Sequence, residues 1–203
     1  LMTIPTLPGI ASKMITTPRL TTRVLFGGDD NGTPVLFLHG NASSATYWEE
    51  VMLALPEGFH GIAPDQRGYG DAERAKKIDA TRGMGDFADD AIALLDTLGI
   101  DKAHVAGHSM GGSVIWQLLI DHPERFLSVT LAAPGSPYGF GGTKGNDGTP
   151  NYADFAGSGG GSVNPTFTQL MAAGERGSDN PQASPRIVMN SFYWKPPFKA
   201  ARE

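Results

Sequence analysis

The segment Gly107-His108-Ser109-Met110-Gly111 places a serine between two glycines. It follows an apolar run, Lys102-Ala103-His104-Val105-Ala106, and precedes residues 112 to 122, whose apolar positions recur at helical spacing. A strand that turns through G-x-S-x-G into a helix forms a nucleophile elbow, a bend sharp enough to lift the serine hydroxyl clear of the sheet. Ser109 is therefore the candidate nucleophile, and Gly107 and Gly111 are the residues that let strand and helix approach closely. A serine hydroxyl attacks a carbonyl only when a base takes its proton and amide hydrogens receive the charge that develops on oxygen.

The elements that must hold this turn are legible on both sides of it. Residues 15 to 28 predict one or two opening strands, closed by the polar turn Gly28-Asp29-Asp30-Asn31-Gly32. Pro34 to Leu38 is continuously apolar, as expected of a strand covered on both faces, and it ends in His39-Gly40-Asn41. A helix is expected from Ser44 to Leu55, a strand from His60 to Pro64 and an amphipathic helix from Met84 to Leu98. Beyond the elbow helix, Arg125 to Ala133 reads as another strand. Alternating strand and helix predict an α/β domain with a mostly parallel, doubly wound sheet.

Past Pro134 the character changes. Residues 135 to 161 are glycine-rich and lack an apolar period, and helical fragments are expected near 166 to 174 and 184 to 193. We therefore divide the chain into a core, residues 1–134, and a glycine-rich linker with a cap or lid segment, residues 135–203.

The net charge of −5, with signs interspersed, offers no basic stripe for nucleic acid. Cysteine is absent, which excludes disulfides and thiolate metal sites. No run approaches membrane-spanning length, and the first residues lack the layout of a secretory signal, so a cytoplasmic protein without membrane contact is expected. Neither a metal nor a cofactor is called for.

Three motifs occur in one order: His39-Gly40-Asn41 after a strand, Asp65-x-Arg67-Gly68-Tyr69-Gly70 after the next, then Gly107-His108-Ser109-Met110-Gly111-Gly112. In this, residues 20 to 135 resemble the α/β-hydrolase superfamily, specifically its capped serine-hydrolase branch of esterases, lactonases, aminopeptidases and cofactor-free haloperoxidases. The resemblance implies that the amides of Asn41 and Met110 form the oxyanion hole, that His39 and Gly40 shape their loop, and that residues 135–203 build a cap. His108 and Tyr138 are expected to line the pocket of a small-molecule substrate. Epoxide hydrolases and haloalkane dehalogenases of this fold use an aspartate at the elbow, so the serine disfavours their chemistry.

The resemblance also implies an acid and a histidine late in the chain, yet no histidine follows His122, which reads as a helix-terminating residue. Some members of the family carry the acid at the end of the strand after the elbow, but Leu131-Ala132-Ala133-Pro134 holds no carboxylate. Asp65 is expected to pair with Arg67 or to cap a loop, and Asp86, Asp89 and Asp90 to form the solvated start of a helix. The chain is thus expected to be the N-terminal piece of a longer hydrolase of small apolar esters, lactones or amides. Its last strands, acid and histidine would lie on a separate C-terminal fragment. Two other functions remain open: cofactor-free perhydrolysis or carbon–carbon bond hydrolysis, and an inert ligand-binding module.

Overall fold

The computed structural model describes residues 4–137, 143–144, 149–150, 165–175, 184 and 187. Contacts divide the chain into two units, Leu1–Pro137 and Tyr138–Glu203.

The first unit is a six-stranded sheet in the order β1-β2-β4-β3-β5-β6. Strands β1 (Ala11–Thr16) and β2 (Thr21–Gly28) form an antiparallel hairpin, and β2 continues antiparallel onto β4 (Phe59–Pro64). The others run parallel: β3 (Thr33–Leu38) lies between β4 and β5 (Ala103–His108), and β6 (Phe126–Ala132) follows β5. The opening segment is thus two strands, the first beginning at Ala11, ahead of the sequence expectation. The predicted helix of residues 44–55 is shorter and composite: a single 3-10 turn, Ala45–Trp48, runs into α1 (Glu49–Leu53). Helices α2 (Gly85–Thr97) and α3 (Met110–Asp121) lie close to their predicted bounds.

Alternation along each strand sends side chains to opposite faces. From β3, Leu36 and Leu38 join Val24, Ile62, Val105, Leu95, Ile115 and Leu118 in the core associated with α2 and α3. Val35 and Phe37 join Leu25, Ala63, Trp48 and Met52 on the side of α1. With both faces covered, β3 has to be apolar throughout, which is why it reads as an unbroken run. Burial of each large aliphatic side chain stabilises by about 1.5–3 kcal/mol.

Of the two roles expected of Asp65, a pair with Arg67 and the capping of a loop, the structure shows the second and not the first. Asp65 is fully buried and binds Arg23 of β2, with Nε–Oδ2 at 2.8 Å and Nη2–Oδ1 at 3.1 Å, while also accepting the amides of Ala45 and Asp71. The antiparallel register of β2 on β4 brings Arg23 beside the end of β4, and Arg67 already lies past that end. Arg67 instead donates two hydrogen bonds to Asp90 at 2.7 Å, which raise its pKa further. The acidic start of α2 is correspondingly not a solvated face. Asp86 and Asp90 have side chains only 10% exposed and are bound by Arg19, with Arg82 also on Asp86. Four acceptor oxygens close to three guanidinium groups gain more as a fixed network than as a hydrated helix start.

Within the second unit, β7 (Thr143–Lys144) pairs antiparallel with β8 (Thr149–Pro150), and α4 spans Pro165–Ala172. Most of the helical fragment expected at 184–193 lies outside the described residues. Among the described residues, no helix is long and apolar enough to cross a membrane.

Candidate active site

The loops that follow the parallel strands all leave from one edge of the sheet. Between β3 and β5 the strand order reverses, since the chain passes from β3 to β4 on one side and then to β5 on the other. The carboxyl ends of strands at such a reversal leave a crevice that suits ligands. The loop His39-Gly40-Asn41 and the turn at Ser109 flank that point.

Ser109 has φ 53° and ψ −116°, a left-handed conformation that L residues adopt only under constraint. The constraint is visible in its backbone bonds. Its amide donates to Ala132 O at 3.1 Å, and its carbonyl accepts the amides of Gly112 at 2.9 Å and Ser113 at 3.3 Å. The glycines around it are steric necessities. A Cβ on Gly107 would lie 2.6 Å from the Gly111 carbonyl group, and one on Gly111 would overlap the Leu38 carbonyl oxygen. A Cβ on Gly40 would fall 3.1 Å from Ser109 Cβ, which shows how closely the His39-Gly40-Asn41 loop approaches the serine.

Met110 is the first residue of α3, so its amide has no partner within the helix. Among the described residues, neither that amide nor the amide of Asn41 makes a hydrogen bond. The Ser109 amide, by contrast, is occupied by Ala132.

His39 is fully buried and both of its ring nitrogens are engaged: Nδ1 donates to Gly40 O at 2.8 Å and Nε2 accepts the Gln66 amide at 3.0 Å. These bonds require the neutral ring, and burial lowers the pKa in the same sense. A nitrogen so occupied cannot take a proton from serine, and the ring serves as a staple between the loops after β3 and β4. Gln66 returns the tie by donating Nε2 to His39 O at 2.6 Å.

His108 stacks on Tyr47, with ring centroids 4.7 Å apart and planes 16° from parallel, and burial lowers its pKa. Its Nδ1 is buried without a partner among the described residues. His104 bonds Ser128 at 2.7 Å, His60 faces Asp30 and His122 faces Glu124. None of the five histidines thus hydrogen-bonds Ser109 among the described residues, and neither does any carboxylate. Tyr138 lies outside the described residues. No group of three or more His, Asp or Glu among them could hold a metal.

The sequence reading missed Tyr69 as a site residue. Its hydroxyl donates to Asn41 Oδ1 at 2.7 Å and touches Met110 Sδ at 3.4 Å, and its ring meets the His39 ring edge-on at 5.3 Å. The signal was the tyrosine between Gly68 and Gly70, both at positive φ.

A family profile described as "alpha/beta hydrolase fold" matches residues 33–182. The chain is 32% identical over 127 residues to epoxide hydrolase A of Mycobacterium tuberculosis, covering 62% of this chain and 39% of that protein. It is 35% identical over 103 residues to 2-hydroxymuconate semialdehyde hydrolase of a Pseudomonas species, covering 49% and 36%. A solved epoxide hydrolase variant from Vigna radiata superposes with a TM-score of 0.56 at 31% identity, covering 62% and 39%. The chain thus spans about two-fifths of the length of the relatives it matches.

Proposed function

Since this chain belongs to the α/β-hydrolase family, we propose that it supplies the nucleophile and oxyanion hole of a serine hydrolase acting on a small, largely apolar ester, lactone or amide. The observation that supports this most is the strained Ser109 beside two unoccupied amides, Met110 N–H and Asn41 N–H. Attack of Ser109 Oγ on a carbonyl carbon forms the acyl-oxygen bond as the carbonyl π pair moves to oxygen, where the two amides receive it. The leaving group departs with its bonding pair and a proton, and water then releases the acid.

The epoxide hydrolase names among the relatives do not carry over to this elbow. Opening of an epoxide by a serine oxygen would give an ether, which water does not hydrolyse under these conditions, whereas acyl transfer to the same oxygen gives a hydrolysable ester. Likeness to the 2-hydroxymuconate semialdehyde hydrolase supports a second reading, hydrolysis of a carbon–carbon bond beside a carbonyl at the same serine.

Because no histidine engages Ser109, we assign the base and its acid to residues outside the described part, on a C-terminal piece that completes the site. The test is covalent labelling with a fluorophosphonate, together with hydrolysis of p-nitrophenyl butyrate. In the full-length gene product, labelling and turnover should be present and both abolished by Ser109→Ala. The 203-residue chain alone should label at least 100-fold more slowly. Labelling that survives Ser109→Ala would overturn the nucleophile assignment, and an inert pocket would remain unlabelled throughout. Equal activity in the 203-residue chain would overturn the separate base.

A further inference from the structure

We propose that the Tyr69 hydroxyl is the positioning group of the oxyanion hole, setting the Asn41 amide relative to the Met110 amide by holding the Asn41 side chain. The inference rests on the reading of Ser109 given above and deepens it.

The two amides belong to different segments, one in the loop after β3 and one on the first residue of α3, after β5. A hole built in this way works only if both donors stay about 2.7–3.1 Å from the place where the oxyanion forms. Something has to fix the Asn41 loop. Its own backbone is in an unfavourable state there: Ala42 has φ 51°, uncommon for a residue with a side chain.

Asn41 Oδ1 is the atom on which the loop is fastened. It accepts the Ala42 amide at 2.9 Å and the Tyr69 hydroxyl at 2.7 Å. The hydroxyl has a single proton, which goes to the nearer and stronger acceptor, Asn41 Oδ1, leaving Met110 Sδ at 3.4 Å as a packing contact. One phenol oxygen therefore touches both residues whose amides form the hole.

Tyr69 is itself placed by the loop after β4. Its amide donates to Gln66 O at 2.9 Å, closing a tight turn, and Gln66 is stapled to His39 at both its backbone and its side chain. The flanking glycine at 70 has to be a glycine, because a Cβ there would overlap the Asp65 carboxylate. The tyrosine is thus delivered by a rigid turn that Asp65 anchors. Positions held by such supporting bonds stay within the sub-ångström tolerance that transition-state contacts demand.

The test is Tyr69→Phe, which removes only the oxygen. In the full-length gene product with p-nitrophenyl butyrate, kcat should fall roughly 10-fold with KM changed by less than about twofold, since the hole acts on the transition state. Asn41→Ala should produce a similar loss, and adding Tyr69→Phe to it should cost little more. In the 203-residue chain, whose fold can be followed without activity, Tyr69→Phe should shift the amide NMR signals of Asn41, Ala42 and Met110 while thermal unfolding stays within a few degrees. Unmoved amide signals would overturn the proposal, as would independent, multiplicative losses in the double variant. A wild-type protein without Ser109-dependent labelling would defeat the Ser109 reading alone, and the amide signals would still decide whether Tyr69 sets the loop.

Discussion

Gly111 lies so close to Leu38 that any side chain on it would overlap the Leu38 carbonyl oxygen. The elbow and the strand carrying His39-Gly40-Asn41 are thereby brought to backbone contact. This is the reason a glycine stands in the first turn of α3, despite its poor helix propensity.

Replacing Gly111 by alanine forces β3 and α3 apart. Overpacking in a filled interior costs about 1–3 kcal/mol, and here the obstructing atom is backbone that cannot rotate away, so the upper end is expected. Urea denaturation of Gly111→Ala should show this loss as a lower midpoint with an unchanged slope. An unaffected midpoint would mean that the two backbones are further apart than described.

Ser109 holds a conformation that glycine adopts without strain. Strain of this kind is worth about 1–3 kcal/mol, partly offset by the greater entropy of a glycine in the unfolded chain. Ser109→Gly should therefore abolish labelling yet leave the protein at least as stable as wild type, and about 1 kcal/mol more stable than Ser109→Ala. Differential scanning calorimetry of the two variants distinguishes them. An alanine variant equal to the glycine variant would show that the elbow carries no strain.

The three motifs were legible because each answers a strict local demand: glycine where backbones touch, and apolar runs where a strand is covered on both faces. The start of α3 was less so, because Gly111 and Gly112 weaken the helical pattern; the helix begins at Met110, since packing against Leu38 and Pro134 outweighs propensity. β5 likewise extends through Gly107 and His108, which pair with Leu131 and Ala132 of β6. The partners of Asp65 and Asp90 were not legible at all. Arg23 reaches Asp65 across 42 residues of sequence through the register of β2 on β4, and Arg19 and Arg67 reach Asp90 across 71 and 23, contacts that no local pattern reveals.

Removal of Asp65 should be the most damaging single change among the charged residues. Arg23 and Asp65 have side chains 4% and 0% exposed, and breaking such a pair strands the remaining charge at about 3–5 kcal/mol. Asp65→Ala also releases the Ala45 and Asp71 amides, so the helix entry after β3 and the Tyr69 turn should both loosen. Circular dichroism melting should show the loss. The Arg125–Asp96 pair, whose carboxylate is 60% exposed, provides the contrast, because Asp96→Ala should change stability by about 0–1 kcal/mol.

The buried imidazole of His39 makes the fold sensitive to mild acid, well above the range in which carboxylates titrate. Burial is the main cause that lowers its pKa in the folded protein below the ordinary 6.5. The unfolded chain therefore binds the proton first as pH falls, and the stability that neutral His39 contributes is fully present above about pH 6.5 and lost as pH drops from there toward the lower folded pKa. His108, also lowered by burial, acts with the same sign. Protonation of His39 places N–H against N–H at the Gln66 amide, so the loop after β4 should open before the sheet does. His39→Gln should keep a donor or an acceptor at one of the two contacts, but not both. It should cost about 1–3 kcal/mol at pH 7.5 and flatten the pH dependence between 7 and 5. Urea midpoints measured across that range, for the wild type and this variant, give the slope directly, and parallel curves would exclude His39 as the titrating group.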